Sequence, residues 1–463
     1  MLGLAPIWLG SNEELKQKTA KLLQDGEVFA FGLSEKEHGA DIYSSDMMLH
    51  PQENGTYKAK GDKYYIGNGN EAAIASTFGK MSDTGEYVFF AANSKHPNYE
   101  CVKNTVNEQN YVAEYALHDY PITDAEIMEK GDKAWDNMLN TINVCKFNLG
   151  FGAVGLCEHA FFEAIDHAAN RNVYGKYVTD FPHVKRLFTD AYARLCAMKL
   201  FAERATDYMR CASAEDRRYL LFNPMVKMKV TSQGEEVINH LWDIIAAKGF
   251  EKEPFFEIAA HEIRMLPKLE GTVHVNMALI IKFMQNYFFN PAEFADVPRR
   301  DDAANDDFLF NQGPTKGLSK IQFHDYHIAY NSVDLPNVNV FKEQIETFKT
   351  FLLKATPDQH QSKDIDYLLA LGDCFTLVAY GQLILENKAI KGIDDDLIDE
   401  IFDFMIRDFS KYAVTILTKP SNSEKQKALA RELIKTPVPN AARFEKIWQE
   451  QVYTLNGEYE MGQ

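Results

Sequence analysis

The sequence predicts an α+β fold. Strand-like patterning is confined to residues 27–122, helical periodicity dominates from Gly131 onward, and the two do not alternate as they would in a wound parallel sheet.

The elements follow in order. Ser11-Asn12-Glu13-Glu14 reads as a capping box, with a Ser cap and Glu three residues on. The helix it opens runs over 15–23 and stops at Asp25-Gly26. Residues 1–9 are apolar with nothing upstream to pack against, which predicts a missing N-terminal part. The stretches 27–33, 63–66, 86–92 and 111–120 are rich in aromatic and branched residues, and turns such as Glu53-Asn54-Gly55 and Asp83-Thr84-Gly85 bound them. Helices are expected at 135–144, 155–168, 184–209, 230–247 and 272–288, with Gly249 capping the fourth. A polar linker at 298–307 leads to further helices at 340–353, 365–386, 397–417 and 423–434. No internal repeat is found. The expected organisation is a helical remnant (1–26), a middle β domain (27–130), a helical domain (131–294) and an extra helical region (295–463).

The 463 residues carry 49 basic and 67 acidic side chains, a net charge of −18. Nucleic-acid binding needs a basic footprint, so that class is disfavoured, as is adhesion to anionic lipid. The six cysteines are scattered without a C-x-x-C pair, which fits a reducing compartment rather than a disulfide framework or zinc site. No apolar run reaches the roughly 18 residues of a transmembrane helix, and no signal peptide is read. The expectation is a soluble cytoplasmic protein.

Few short motifs carry chemistry on their own. Gly313-Pro314-Thr315-Lys316-Gly317 lacks the ending of a phosphate loop. Gly67-Asn68-Gly69-Asn70 reads as a tight turn. His324 and His327 lack a third metal ligand, and no metal is expected. Asp394-Asp395-Asp396 suits a helix N-terminus. Glu270-Gly271-Thr272 precedes an apolar helix; by spacing alone it is a helix start with Thr272 as cap.

The order of longer motifs resembles the acyl-CoA dehydrogenase family over residues 1 to 290, its very-long-chain branch most of all. Residues 10–26 look like "G-T-x-x-Q-K-x-x-Y-L-P-x-L-x-x-G-E", and 33–41 look like "T-E-P-x-A-G-S-D". Lys63-Tyr64-Tyr65-Ile66-Gly67-Asn68-Gly69 is similar to "K-x-W-I-T-N-G", and 171–176 to "R-x-x-F-G". Residues 243–272 match "Q-I-x-G-G-x-G-F-x-x-E-P…R-D-x-R…E-G-T" without a gap.

The resemblance implies a middle β-barrel domain followed by a helical bundle. It also implies FAD as cofactor and α,β-dehydrogenation of a fatty acyl-CoA to the trans-2-enoyl-CoA. Glu270 takes the place of the catalytic base. A related subgroup places its base on an earlier helix, near Cys145 here, which is not a carboxylate. The cofactor positions implied are Ser34, Tyr65, Arg171, Asp243, Ala246, Ala247 and Thr272, and the substrate positions Ala40 and Gly271. Plainer readings stand beside three of these: Ser34 as a turn hydroxyl, Tyr65 as a sheet aromatic and Arg171 as a surface charge. An electron-transfer flavoprotein is the implied electron acceptor and a homodimer the implied assembly. Gly150, Gly152, Ala153 and Gly155 either make room for an acyl chain or allow close helix packing.

The departures concentrate on the cofactor. Ala40, Gly67, Asp243, Ala246-Ala247 and His261-Glu262 stand where the family has Ser, Thr, Gln, Gly-Gly and Arg-Asp. Each lost polar group removes about 1 kcal/mol of binding. The alternatives are a catalytically weakened homologue acting as scaffold or partner subunit, and an acyl-CoA oxidase.

Overall fold

The computed structural model describes residues 2–39, 41–106, 111–302 and 307–458. The chain divides into two compact units: Met1–Cys145 with Leu309–Lys316, and Lys146–Phe308 with Gly317–Gln463.

The first unit is built on an eight-stranded mixed sheet. Its strands are β1 (Phe29–Gly32), β2 (Met48–Pro51), β3 (Tyr57–Gly67), β4 (Ile74–Met81), β5 (Tyr87–Ala92), β6 (Tyr99–Asn104), β7 (Val112–Ile122) and β8 (Ile127–Lys130). The order is β6-β7-β3-β2-β4-β5-β8, with β1 also paired to β4. Both β1 and β2 run parallel to β4; the other pairings are antiparallel. Successive side chains leave a strand on opposite faces, so Phe89 and Phe90 enter different cores. One core gathers Met47, Leu49, Tyr115 and Leu117; the other gathers Ile7, Leu15, Phe78 and Trp135.

At the N-terminus the helix cap differs from expectation. The cap of helix Glu13–Gln24 is Asn12, not Ser11: its Oδ1 accepts from the Leu15 N–H at 3.0 Å, while its Nδ2 donates to the carbonyls of Ala125 and Ile127. The apolar opening residues also have a partner. Ile7 is buried in the second core, Ser76 donates to the Gly3 carbonyl at 2.7 Å and Asn137 to that of Pro6 at 2.8 Å.

A single helix, Asp132–Asn170, replaces the two expected at 135–144 and 155–168. The glycines between them do not break it. Gly150 lies so close to Val226 that an added Cβ would come within 2.4 Å of Val226 Cγ1. Close packing therefore accounts for Gly150, whereas Gly152 and Gly155 border open space.

The second unit is helical. Pro182–Arg210, Thr231–Ile245, Ile365–Lys391 and Asp395–Leu417 pack together as its centre. Ile365–Lys391 is long and apolar enough to cross a membrane by length and composition, a run the sequence reading passed over. Most of that apolar window is buried in the fold. The helix expected at 272–288 is three short pieces, Val273–Ile280, Ile281–Phe283 and Met284–Phe289. Thr272 does cap the first, accepting from the Val275 N–H.

Charged groups are buried in this unit. The Arg194 guanidinium binds Asp408 through two bonds, at 2.8 and 3.0 Å, and reaches Asp190 at 2.8 Å and Glu236 at 2.6 Å. It also lies over the Phe404 ring. Removing one member of such a network strands the others, at a cost of about 3–5 kcal/mol. Arg194→Met is therefore expected to lower unfolding free energy by about that amount, read from thermal or denaturant melts.

Candidate active site

Glu270 stands in the second unit, in the turn between helix Phe256–Met265 and helix Val273–Ile280. Its backbone is left-handed, φ 51°, and Gly271 follows at φ 84°. For a residue with a Cβ, that conformation costs on the order of 1–3 kcal/mol and persists only where surrounding contacts over-determine it.

Two buried ammonium groups act on the Glu270 carboxylate. Lys146 comes from helix Asp132–Asn170, and Lys227 from a wide π turn, Val226–Val230; they are 5% and 0% exposed. Burial raises the Glu270 carboxyl above the usual glutamate range, and Lys146 and then Lys227 pull against that rise. Burial lowers Lys146 to about 8, with Glu270 opposing. Lys227 falls to about 7 through burial and the neighbouring Lys146, again opposed by Glu270. The result is a desolvated carboxyl whose proton affinity two cations hold in check. The Glu270 N–H donates to no acceptor among the described residues.

Neither lysine is part of the sequence-based site. A signal for both was present: each interrupts an apolar run, Cys145-Lys146-Phe147 and Val226-Lys227-Met228, where a charge must find a partner.

In the first unit, Ser34 and Tyr65 belong to one local assembly. The register of β3 against β7 shifts between Lys63 and Ile66, and within that bulge Tyr65 takes φ 64°. The residue remains 39% exposed. The Tyr64 N–H donates to the Ser34 carbonyl at 2.9 Å, while the Ser34 hydroxyl bonds to no described residue. Beneath them, the fully buried Lys63 Nζ binds Glu35 Oε1 at 2.6 Å and the Leu33 carbonyl at 2.9 Å. Glu35 also accepts from Ser45 and from the N–H groups of Asp46 and Met47. Burial would raise the Glu35 carboxyl, but Lys63 and these donors outweigh it and hold it low. The pair is a rivet that the sequence reading missed, and it fixes the loop carrying Ser34 to the strand carrying Tyr65. Ala40 lies outside the described residues.

The remaining positions are in the second unit. Arg171 is exposed and opens a small hairpin, Asn172–Val173 against Lys176–Tyr177. Tyr174 and Gly175 turn it, both at positive φ, and Tyr174 is 95% exposed. Asp243, Ala246 and Ala247 are exposed at the end of helix Thr231–Ile245. The C-cap there is Ala246, at φ 54° and ψ −135°, and not Gly249 as expected. Thr272 spends its hydroxyl on the cap to Val275. His324 bonds to Phe294, and His327 sits between Asp325 and Glu346, so each has a structural partner.

Among the described residues, six that are not glycine have positive φ: Tyr65, Asn68, Asp119, Tyr174, Ala246 and Glu270. All but Asp119 fall inside the stretches that resemble the family's motifs, 63–69, 171–176 and 243–272. Strain gathers at functional sites because binding and catalysis fix backbone that propensity would not choose.

Residues 132–285 match the family described as "Acyl-CoA dehydrogenase, C-terminal domain". The short-chain specific acyl-CoA dehydrogenase of Megasphaera elsdenii is 21% identical over 282 residues, covering 59% of this chain and 72% of that protein. The very long-chain specific mitochondrial enzyme of Bos taurus is 23% identical over 290 residues, covering 58% of this chain but 43% of its own length. The acyl-CoA dehydrogenase of Bacillus anthracis, solved with FAD, superposes with a TM-score of 0.74 at 17% identity, over 98% of this chain and 80% of that one. The fold likeness thus runs on through the extra C-terminal helices. Residues 132–285, a third of the chain, thus match the C-terminal domain of the acyl-CoA dehydrogenase family, and the likeness of fold extends over nearly the whole chain.

The Ala246 backbone occupies a region that suits glycine, and the family has glycine there. Ala246→Gly is expected to raise stability by about 1 kcal/mol, the relief of the Cβ strain less the entropy of a freer unfolded chain. A thermal midpoint that falls would contradict the strain assignment.

Proposed function

We propose that the chain catalyses FAD-dependent α,β-dehydrogenation of a fatty acyl-CoA, with Glu270 as the base. The observation that carries this reading is the desolvated Glu270 carboxyl, held in a strained turn between two cations. The α C–H of a thioester is a very weak acid. A carboxylate with raised proton affinity is a stronger base and can still be unprotonated near neutral pH. Glu270 takes the α proton on a carboxylate oxygen, and its N–H is available to the thioester carbonyl, where charge develops as that proton leaves.

The residues present suit FAD at three places. Ser34 offers a hydroxyl with no described partner, Tyr65 presents an exposed ring from a rigid bulge, and Ala246-Ala247 expose backbone at a helix end. Bound FAD supplies the acceptor for the hydride leaving Cβ. Asp243 places negative charge where the family has an amide, which opposes a diphosphate nearby. That departure, with the methyls of Ala246 and Ala247, supports the second reading, a weakened homologue acting as scaffold or partner subunit.

The finer assignments rest on the motifs. The very-long-chain branch is supported by Gly249-Phe250-Glu251-Lys252-Glu253-Pro254 and by the long helical region that follows. An electron-transfer flavoprotein is the proposed acceptor, in preference to oxygen. Exposed Arg171 and Tyr174 support a homodimer, with Arg171 reaching the flavin of the other subunit. All six cysteines are free, which suits the cytoplasm.

The pH profile tests the base. Activity requires unprotonated Glu270, so kcat/KM should rise with pH through an ionisation above the usual glutamate range. Lys146 lowers that ionisation by its charge. Lys146→Met should therefore move the acid limb to higher pH, and Glu270→Gln should remove turnover while flavin and ligand still bind. An acid limb that moves down in Lys146→Met, or a Glu270→Gln enzyme with near-wild-type turnover, would refute the assignment.

A further inference from the structure

The π turn Val226–Val230 has all five residues buried, two of them lysines. They face different surroundings. Lys229 lies 3.9 Å from Asp408, on the side of the Arg194 network. Lys227 goes to the Glu270 turn. Its Nζ donates to the Pro267 carbonyl at 2.6 Å and also to the Gly271 carbonyl. These two acceptors bracket Glu270, three residues before it and one after.

We infer that Lys227 is a positioning residue for the base: by joining both sides of the 267–271 turn it holds Glu270 in its left-handed conformation. This rests on the reading of Glu270 as the base. Three features support it. Glu270 and Gly271 both have positive φ, a conformation that a surface turn of Leu269-Glu270 would not keep unaided. Lys227 is fully buried, so its ammonium has exchanged water for these carbonyls. The wide turn that delivers it is itself supported: the Thr231 hydroxyl donates to the Lys227 carbonyl, and Gly150 meets Val226 with no room for a side chain. π turns within helices occur often at functional sites. Here the extra residue lets lysines two positions apart both be buried.

A plainer role is possible for any buried lysine near a helix end, namely satisfying orphan carbonyls. The two roles predict different kinetics. The turn has a second anchor in Asn276, whose Nδ2 donates to the Gly271 carbonyl at 2.9 Å and the Thr272 carbonyl at 3.0 Å. The fold should therefore survive without Lys227, but with the base displaced. Small displacements of a reacting group cost about 100-fold.

The experiment compares Lys227→Met, Lys227→Arg and Glu270→Gln in the full chain reconstituted with FAD, assayed on short-, medium- and long-chain saturated acyl-CoAs. Lys227→Met should keep its thermal melt and flavin absorbance, lose about 100-fold in kcat and change KM by less than about threefold. Lys227→Arg, which restores two donors, should recover most of kcat. Folded Lys227→Met with wild-type kcat overturns the inference. If Lys227→Met does not fold, Lys227→Gln replaces it; one amide cannot span both carbonyls, so wild-type kcat there overturns the inference equally. Glu270→Gln separates the failures. If it is inactive while the Lys227 variants are unimpaired, only this inference falls. If it retains turnover, the base assignment falls and takes this inference with it.

Discussion

The account depends on one balance of forces around the Glu270 carboxyl. Burial pushes the carboxyl toward its neutral form, and two buried ammoniums push it back. Either influence alone would spoil it for proton abstraction. Desolvation without cations would leave the acid protonated at neutral pH, and cations without desolvation would leave a weak base. The helices of the second unit are arranged to supply both. The long helix brings Lys146, the π turn brings Lys227, and the meeting of Gly150 with Val226 brings those two segments together.

The first unit applies the same device to a different end. A buried lysine–glutamate pair, Lys63 with Glu35, holds a loop against a strand, and the left-handed Tyr65 follows two residues further along that strand. A broken rivet would weaken the tie between the loop carrying Ser34 and the strand carrying Tyr65, leaving the Tyr64 N–H to Ser34 carbonyl bond to hold them. In both units, then, charge is buried to fix backbone that would not otherwise hold its shape. This is an unusual use of a costly interaction, and it is found where the motifs place function.

Much of the plan was legible in the sequence. The segregation of strands from helices, the Thr272 cap and the position of Glu270 follow from patterning and motif order. Three element boundaries did not. The cap fell to Asn12 because its amide also bonds to Ala125 and Ile127, contacts remote in sequence. The helix Asp132–Asn170 runs through Gly150, where close packing against Val226 outweighs propensity, and on past Gly152 and Gly155, which border open space. The C-cap fell on Ala246 rather than Gly249 because the backbone turns where the family has glycine, and alanine inherits the conformation. Backbone strain cannot be seen in residue types that rarely adopt it. For the same reason neither the left-handed Glu270 nor the bulged Tyr65 could be anticipated.

The account is tested most directly by the visible absorbance of the purified protein with FAD, followed anaerobically as a saturated acyl-CoA is added. A flavin band that bleaches on addition is the predicted result. A band that forms but stays unbleached with acyl-CoAs of every chain length, or a protein that takes up no flavin, would contradict the dehydrogenase reading and favour the scaffold.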